Sequence, residues 1–111
     1  MDTTTELYIE PSAIAVGLSD EMLALCHEYL PPGGLIVKRV AHAHAACERI
    51  AVLLPRLVVV PAAMRSADLD MIEDRAAAVG AVVLHLDPDH GYELLGAQLH
   101  LTVQDLHTKY R

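Results

Sequence analysis

The sequence of 111 residues contains no phenylalanine and no tryptophan, and it is poor in positive charge. Hydrophobic residues still make up 53% of the chain, so we expect an aliphatic core with no aromatic cluster on which bases could stack. Lys and Arg number eight against fifteen Asp and Glu, which gives a formal net charge of -7. A nucleic-acid-binding protein normally presents a basic face, so we expect protein partners and no nucleic acid.

Cysteines and long apolar runs are also scarce. Cys26 and Cys47 lie in helix-like stretches and form no CxxC pair, which indicates buried or half-buried thiols in a reducing compartment. No apolar run approaches the roughly 18 residues of a membrane span. Met1–Glu6 is polar and acidic, unlike a signal peptide. We therefore expect one cytoplasmic domain over residues 1–111, with no membrane association.

Strand-like and helix-like segments alternate along most of the chain. Buried strands are predicted at Ser12–Leu18, Leu35–Val40, Leu57–Val60 and Ala81–Leu86. Helices are predicted over residues 20–30, 43–54 and 66–79, with Ser19 and Ser66 as N-caps and Gly80 as a helix stop.

The two ends of the chain are more polar. Residues 1–11 are a polar lead-in, in which Leu7–Ile9 can form a short edge segment. After a turn at Asp87–Gly91, Tyr92–Ala97 is expected to form one or two helical turns, and Gln98–Val103 alternates as an edge strand does. Residues 104–111 are expected to start a last helix or a linker. The whole pattern predicts a three-layer α/β, flavodoxin-like fold, a five-stranded parallel sheet with helices on both faces.

The segment Pro55–Met64 reads as a proline, a polar residue, four apolar residues and, after a short gap, a methionine, with Asp68 beyond it. In this rhythm, and in five βα units between Ala13 and Val103, the chain resembles the receiver domains of bacterial response regulators. The helix that carries Ala45 and Ala46 is similar to the second helix of that family. The resemblance implies a role in two-component signal transduction.

The residues that carry phosphoryl transfer in receivers have no counterparts here. Pro61 stands where the phosphorylated Asp is expected, and Gly17 and Leu18 replace the acidic pair that holds Mg²⁺. Other family positions are replaced as well: the switch hydroxyl by His85 or Leu86, the Lys-Pro after the fifth strand by Leu101-Thr102-Val103, and the proline after the methionine by Arg65. The resemblance therefore implies a non-enzymatic pseudo-receiver without a cofactor, in which Gly17, Leu18, Pro61 and His85 form a degenerate phospho-acceptor pocket.

A histidine- and aspartate-rich loop follows the fourth strand. His85, Asp87, Asp89 and His90 lie at the carboxyl edge of the predicted sheet, where open α/β folds place ligand sites. Two imidazoles and two carboxylates are able to bind a divalent metal, so a small metal-binding protein is one alternative. Two Asp residues around a proline are also ordinary turn chemistry, which is the interpretation we favour.

An apolar set near the carboxyl end is the candidate interaction face: Tyr92, Leu95, Leu99, Leu101 and Val103. In receivers the corresponding region meets partners, so we expect a protein partner there, a second copy in a homodimer or further domains of the same chain.

The remaining alternative is an α/β binding module of the anti-sigma-antagonist type. That type begins its sheet with antiparallel pairing, and its Asp-x-Ser-Gly motif is not matched by Met64–Ala67.

Overall fold

Four strands form one parallel sheet in the computed structural model, which describes residues 10–109. In chain order they are β1 (Ser12–Val16), β2 (Ile36–Val40), β3 (Leu57–Pro61) and β4 (Val82–Leu86). They lie in the order β2-β1-β3-β4, and each neighbouring pair is parallel. The short edge segment expected at Leu7–Ile9 lies outside the described residues.

β1 and β3 form the centre of the sheet. All five residues of β1 are buried, and so is Leu57–Val60 of β3. Small and β-branched apolar residues suit these strands because helices cover both of their faces and neither face meets water. The prediction that Leu57–Val60 is a central strand is confirmed.

Helices cover both faces of the sheet. They are α1 (Asp20–Tyr29), α2 (Ala43–Leu53), α3 (Ser66–Val79) and α4 (Tyr92–Lys109), with a 3₁₀ turn at Pro31–Gly33. Ser19 caps α1 as predicted, because its Oγ accepts a hydrogen bond from the Met22 N–H at 3.3 Å. The prediction that Ser66 caps α3 is wrong: Arg65 occupies the cap position and its side chain makes no capping bond. Gly80 ends α3 in the left-handed conformation, as predicted.

The predicted fifth strand is replaced by a helix. Residues 92–109 form the single helix α4, so the predictions of a short helix at Tyr92–Ala97, a strand at Gln98–Val103 and a separate element from residue 104 are wrong. The large side chains that α4 buries recur at helical spacing: Leu95, Leu99, Val103 and Leu106. The architecture is α/β with a parallel sheet, flavodoxin-like in general kind, but it has four strands and not five.

Each pair of helices closes its own apolar cluster against the sheet. The α1–α4 layer buries one cluster: Ala13, Met22, Cys26, Leu30, Leu35, Leu57, Val59, Leu86, Leu95, Leu99, Val103 and Leu106. The α2–α3 layer buries the other: Ile14, Val16, Val40, Ala43, Ala46, Ile50, Val58, Val60, Ile72 and Ala76. Among residues 10–109, no helix has the length and apolar character that crossing a membrane requires.

Candidate functional site

Gly17 and Leu18, two positions of the degenerate pocket, form the turn from β1 to α1. β1 ends at Val16, two residues earlier than predicted, because Gly17 has a φ of 59°, which glycine adopts at little cost. The Gly17 N–H donates a hydrogen bond to the Val40 carbonyl at 2.8 Å. The Leu18 side chain is half-buried and packs against the α1–α4 cluster. Both positions therefore serve the turn and the core.

Pro61 and His85 lie at the ends of the adjacent strands β3 and β4. Pro61 is half-buried and pairs in register with Leu86. His85 pairs with Val60, whose side chain belongs to the α2–α3 cluster, so the imidazole points to that face. Its Nε2 lies 3.8 Å from Oε2 of Glu73 on α3. His85 is thus turned away from the face on which Leu18 packs.

The loop after β4 has the hydrogen bonds of a turn. The Asp87 carboxylate accepts a hydrogen bond from the Asp89 N–H at 2.9 Å, which is an Asx turn. The His90 N–H donates to the Asp87 carbonyl at 3.0 Å, and its Nε2 lies 4.0 Å from Asp87 Oδ2. His85 is directed instead at Glu73. In the part of the chain that the structure describes, no three His, Cys, Asp or Glu side chains are grouped so that they could hold a metal ion.

The predicted interaction face is divided between core and surface. Leu95, Leu99 and Val103 are buried in the α1–α4 cluster, where no partner can reach them. Tyr92 and Leu101 are each 58% exposed, but they lie at different parts of α4. The division follows from the helix, because residues that would share one face of a strand are spread around a helical axis.

A surface groove of about 420 Å³ lies between α1 and the start of α4. The side chains that line it come mainly from one face of α1: Glu21, Ala24, Leu25, Glu28, Tyr29, Tyr92 and Glu93. The α1 members are three, four, seven and eight residues apart from the first, which is the spacing of one helical face. The groove thus combines an apolar and aromatic floor with carboxylates.

Two tyrosines shape the groove. The Tyr92 hydroxyl donates a hydrogen bond to Glu21 Oε2 at 2.7 Å and so ties α4 to α1. This bond raises the pKa of Tyr92 above its ordinary value, and partial desolvation and the negative charge of Glu21 add to the effect. The Tyr29 ring lies so close to α4 that a Cβ on residue 96 would meet it at 2.7 Å, which explains Gly96 in mid-helix.

The charge around the groove is negative. Glu21, Glu28 and Glu93 are exposed, and no Lys or Arg occurs between residues 10 and 37 or between residues 76 and 108. The cation of α4 is Lys109, in its last turn. A concave site lined by one sign of charge attracts the opposite sign. Sequence reasoning missed this groove, because the spacing of Glu21, Leu25 and Glu28 indicates one face of α1 but not the helix that lies opposite it.

The two thiols lie in different helical layers. Cys26 on α1 is fully buried, and this burial raises the pKa of its thiol from 9.0 to about 11. It therefore stays protonated and unreactive near neutral pH. Cys47 on α2 is half-buried. The prediction that both thiols are buried or half-buried is confirmed.

The lining of the groove combines three carboxylates and two phenols with an apolar surface. Such a lining matches a ligand with an aliphatic body and cationic ends. Comparison with protein-family models and with curated proteins found no match for this chain.

Proposed function

We propose that this chain is a non-catalytic pseudo-receiver, a binding module that works through protein–protein contact in the cytoplasm as part of bacterial signalling or regulation. The groove between α1 and α4 is the observation that carries the binding role. Its partner is a basic segment of another protein, in which Lys or Arg side chains lie over the tyrosines and reach the glutamates.

The residues at the carboxyl ends of the strands support the non-catalytic part. Transfer of a phosphoryl group to Asp requires a carboxylate nucleophile and a cation held by acidic side chains. Gly17 forms a turn, the Leu18 side chain packs against the core, and Pro61 has no nucleophilic group. His85 points to the α2–α3 face, so it is poorly placed to act as the switch residue.

The strand order supports a receiver-like origin. All three pairings among the described strands are parallel, and the order β2-β1-β3-β4 matches the first four strands of a flavodoxin-like sheet. A domain of the anti-sigma-antagonist type was expected to begin its sheet with antiparallel pairing. The replacement of the fifth strand by α4 makes this a shortened version of the receiver layout.

The chemistry of the groove supports a basic partner. Arg and Lys carry aliphatic stems that pack on Ala24 and Leu25, and their charged ends are attracted by aromatic faces such as Tyr29. Each exposed charge pair contributes on the order of 0.2 to 1 kcal/mol, so three glutamates together shift affinity by about tenfold.

Incubation with acetyl phosphate and Mg²⁺, followed by measurement of the intact mass, tests the non-catalytic part. We expect an unchanged mass, because no acceptor carboxylate stands at Pro61. A competent receiver domain treated in parallel shows that the reagent is active. A stable phospho-adduct on this chain would contradict the proposal.

Titration with a short fluorescein-labelled peptide of Arg and Leu, followed by anisotropy, tests the groove. The triple change Glu21→Gln, Glu28→Gln and Glu93→Gln is expected to weaken binding about tenfold, because it removes the rim charges. An Asp and Leu peptide of the same length is expected not to bind.

A matched variant separates the groove from net charge. Glu48→Gln, Asp70→Asn and Asp74→Asn remove the same number of exposed negative charges from the α2–α3 layer. This control is expected to bind the basic peptide nearly as well as the unchanged protein. Equal weakening in both triple variants would show that only the overall charge matters, and the groove would lose its role.

A further inference from the structure

The two edges of the sheet carry different side chains. β2 exposes Lys38 and Arg39, and charged side chains on an edge strand repel another strand. β4 reads Val82-Val83-Leu84-His85-Leu86, with no Lys, Arg, Asp, Glu or Pro. Its first three residues are only half-buried. β4 therefore lacks the charged residues and proline by which edge strands commonly avoid pairing.

The backbone of β4 presents hydrogen-bonding groups outward at two positions. The Val82 N–H donates to the Arg56 carbonyl at 3.0 Å, and the Leu86 carbonyl accepts from the Ala62 N–H at 2.9 Å, so these residues face β3. Alternate residues of a parallel strand direct their backbone groups to opposite sides. Val83 and His85 therefore direct theirs away from β3, where none of strands β1–β3 lies.

The flank of α4 above this edge has a hollow and exposed leucines. Thr102 and Val82 line a hollow of about 150 Å³, so this flank of the helix overlooks β4. Gln98 lies one turn before Thr102 on the same flank, and its Oε1 is buried without a hydrogen-bond partner among residues 10–109. Leu94 and Leu101, 50% and 58% exposed, extend the apolar surface here.

We propose that a second copy of this chain pairs with the outer side of β4, antiparallel and about a two-fold axis at Leu84. In this register Val83 of each copy faces His85 of the other. The outward N–H of each residue then donates to the outward carbonyl of the residue that it faces. The β4 edge has no Lys, Arg, Asp or Glu that would repel its own copy, whereas Lys38 and Arg39 on β2 would repel theirs.

This assembly extends the sheet from four strands to eight and does not rest on the proposed function. The α1–α4 groove lies on the opposite flank of α4, where Gly96 meets Tyr29, so it stays open in the dimer. A strand of another protein would use the same outward groups, but the absence of like charges on the β4 edge allows it to pair with its own copy.

Sedimentation velocity on the full chain tests the proposal. We expect a dimer, and we expect His85→Pro to weaken it about tenfold or more, because proline removes an outward N–H from each copy. Arg39→Pro is the matched control, since Arg39 is exposed and its N–H also points outward, but from β2. A monomer, or equal loss in both variants, overturns the proposal.

Disulfide trapping tests the register without relying on proline. Leu84→Cys places two thiols across the axis in a non-hydrogen-bonded pair, where the Cβ atoms are about 4.5 to 5.5 Å apart. Lys38→Cys, at the centre of β2, is the control, and both variants carry Cys47→Ser. Rapid covalent dimer formation by Leu84→Cys alone supports the proposal. Equal or slower cross-linking than with Lys38→Cys contradicts it.

Discussion

The two helical layers cover the same sheet with side chains of different size. Three of the five helical residues buried in the α2–α3 cluster are alanines, Ala43, Ala46 and Ala76, and the two helices lie directly against each other. The α1–α4 layer relies on longer side chains such as Leu95 and Leu99, with fewer contacts between the helices themselves.

This difference in side-chain size explains where the groove lies. Small residues let helix backbones approach closely and leave no space between them. Long side chains hold a helix further away from its neighbour, and between α1 and α4 that space is shaped by Tyr29 and Tyr92. We therefore expect the α1–α4 layer to be sensitive to loss of volume and the α2–α3 layer to be sensitive to added volume.

Removing a long side chain from the α1–α4 layer has the largest expected effect. Leu99→Ala is expected to lower the free energy of unfolding by about 3 kcal/mol, because the side chain is fully buried and its removal leaves a cavity. Urea unfolding followed by circular dichroism measures the change.

Leu101→Ala is the control on the same helix. Leu101 is 58% exposed, so its truncation is expected to change the free energy of unfolding by no more than about 0.5 kcal/mol. Similar losses of unfolding free energy for Leu99→Ala and Leu101→Ala would contradict the helical structure of this segment, since the two side chains share a face only in a strand.

The thiol of the α1–α4 layer is expected to make stability depend on alkaline pH. Cys26 has its pKa raised to about 11 in the folded protein, so the unfolded chain ionises first as pH rises above 9.0. The stability is full below pH 9 and falls by about 2 to 3 kcal/mol towards pH 11. The measurement is the free energy of unfolding at several pH values, for the unchanged protein and Cys26→Ala.

The difference between the two proteins isolates the thiol from the other groups that titrate in this range. In Cys26→Ala the free energy of unfolding is expected to decline less steeply above pH 9. In Cys47→Ala, which changes the α2–α3 layer, it is expected to decline as steeply as in the unchanged protein. If Cys26→Ala declined as steeply as the unchanged protein, burial of this thiol would not be the cause.

Added volume in the α2–α3 layer has a somewhat smaller expected effect. Ala46→Leu is expected to destabilise the protein by about 2 kcal/mol, because Ala46 is fully buried and the helices must move apart to accept it. Ala51→Leu, at an exposed position of the same helix, is the control and is expected to be nearly neutral. A tolerated Ala46→Leu would show that this layer is not closely packed.

The smallest expected effect is at the contact between Gly96 and Tyr29. Gly96→Ala gains about 1 kcal/mol of helix propensity but places a Cβ 2.7 Å from the Tyr29 ring, so the net change in stability is expected to stay within about 1 kcal/mol. In a Tyr29→Ala background the same change is expected to stabilise by about 1 kcal/mol. Urea unfolding of the four proteins gives the coupling, and equal effects in both backgrounds would mean that the ring does not constrain Gly96.

The order of elements through β4 was predictable from sequence. Continuous apolar runs such as Leu57–Val60, closed by proline or glycine, leave a buried parallel strand as the simplest interpretation. Boundaries were less predictable, because they depend on single backbone angles. The end of β1 at Gly17 is one case, and Leu54, which ends α2 with a φ of 49° although it is not glycine, is another.

The carboxyl end of the chain was mispredicted because the spacing of its apolar residues fits both a strand and a helix. Leu99 and Val103 fit a strand that repeats every two residues and equally a helix that repeats near every four. Leu101 favoured the strand, and Gly96 discouraged a long helix. The deciding signal was the longer series that continues through Leu95 and Leu106, which only a helix places on one face.

The groove was not predictable from local patterns. Glu21 and Tyr92 are 71 residues apart and meet only because α1 and α4 lie on the same face of the sheet. The apolar side of α1 could be read from its spacing, but the partner helix was divided into three elements in the prediction. Without a continuous α4, nothing in the sequence placed Tyr92 opposite Glu21.

The position of α4 at the end of the described chain sets an order in which the protein can complete its core during synthesis. By the time β4 has left the ribosome, α2 and α3 are available to cover one face of the sheet. The other face, with Leu57, Val59 and Leu86, is covered by α1 alone among the described helices until α4 is translated. Nascent chains arrested before α4 therefore present an apolar surface for which chaperones and neighbouring nascent chains compete.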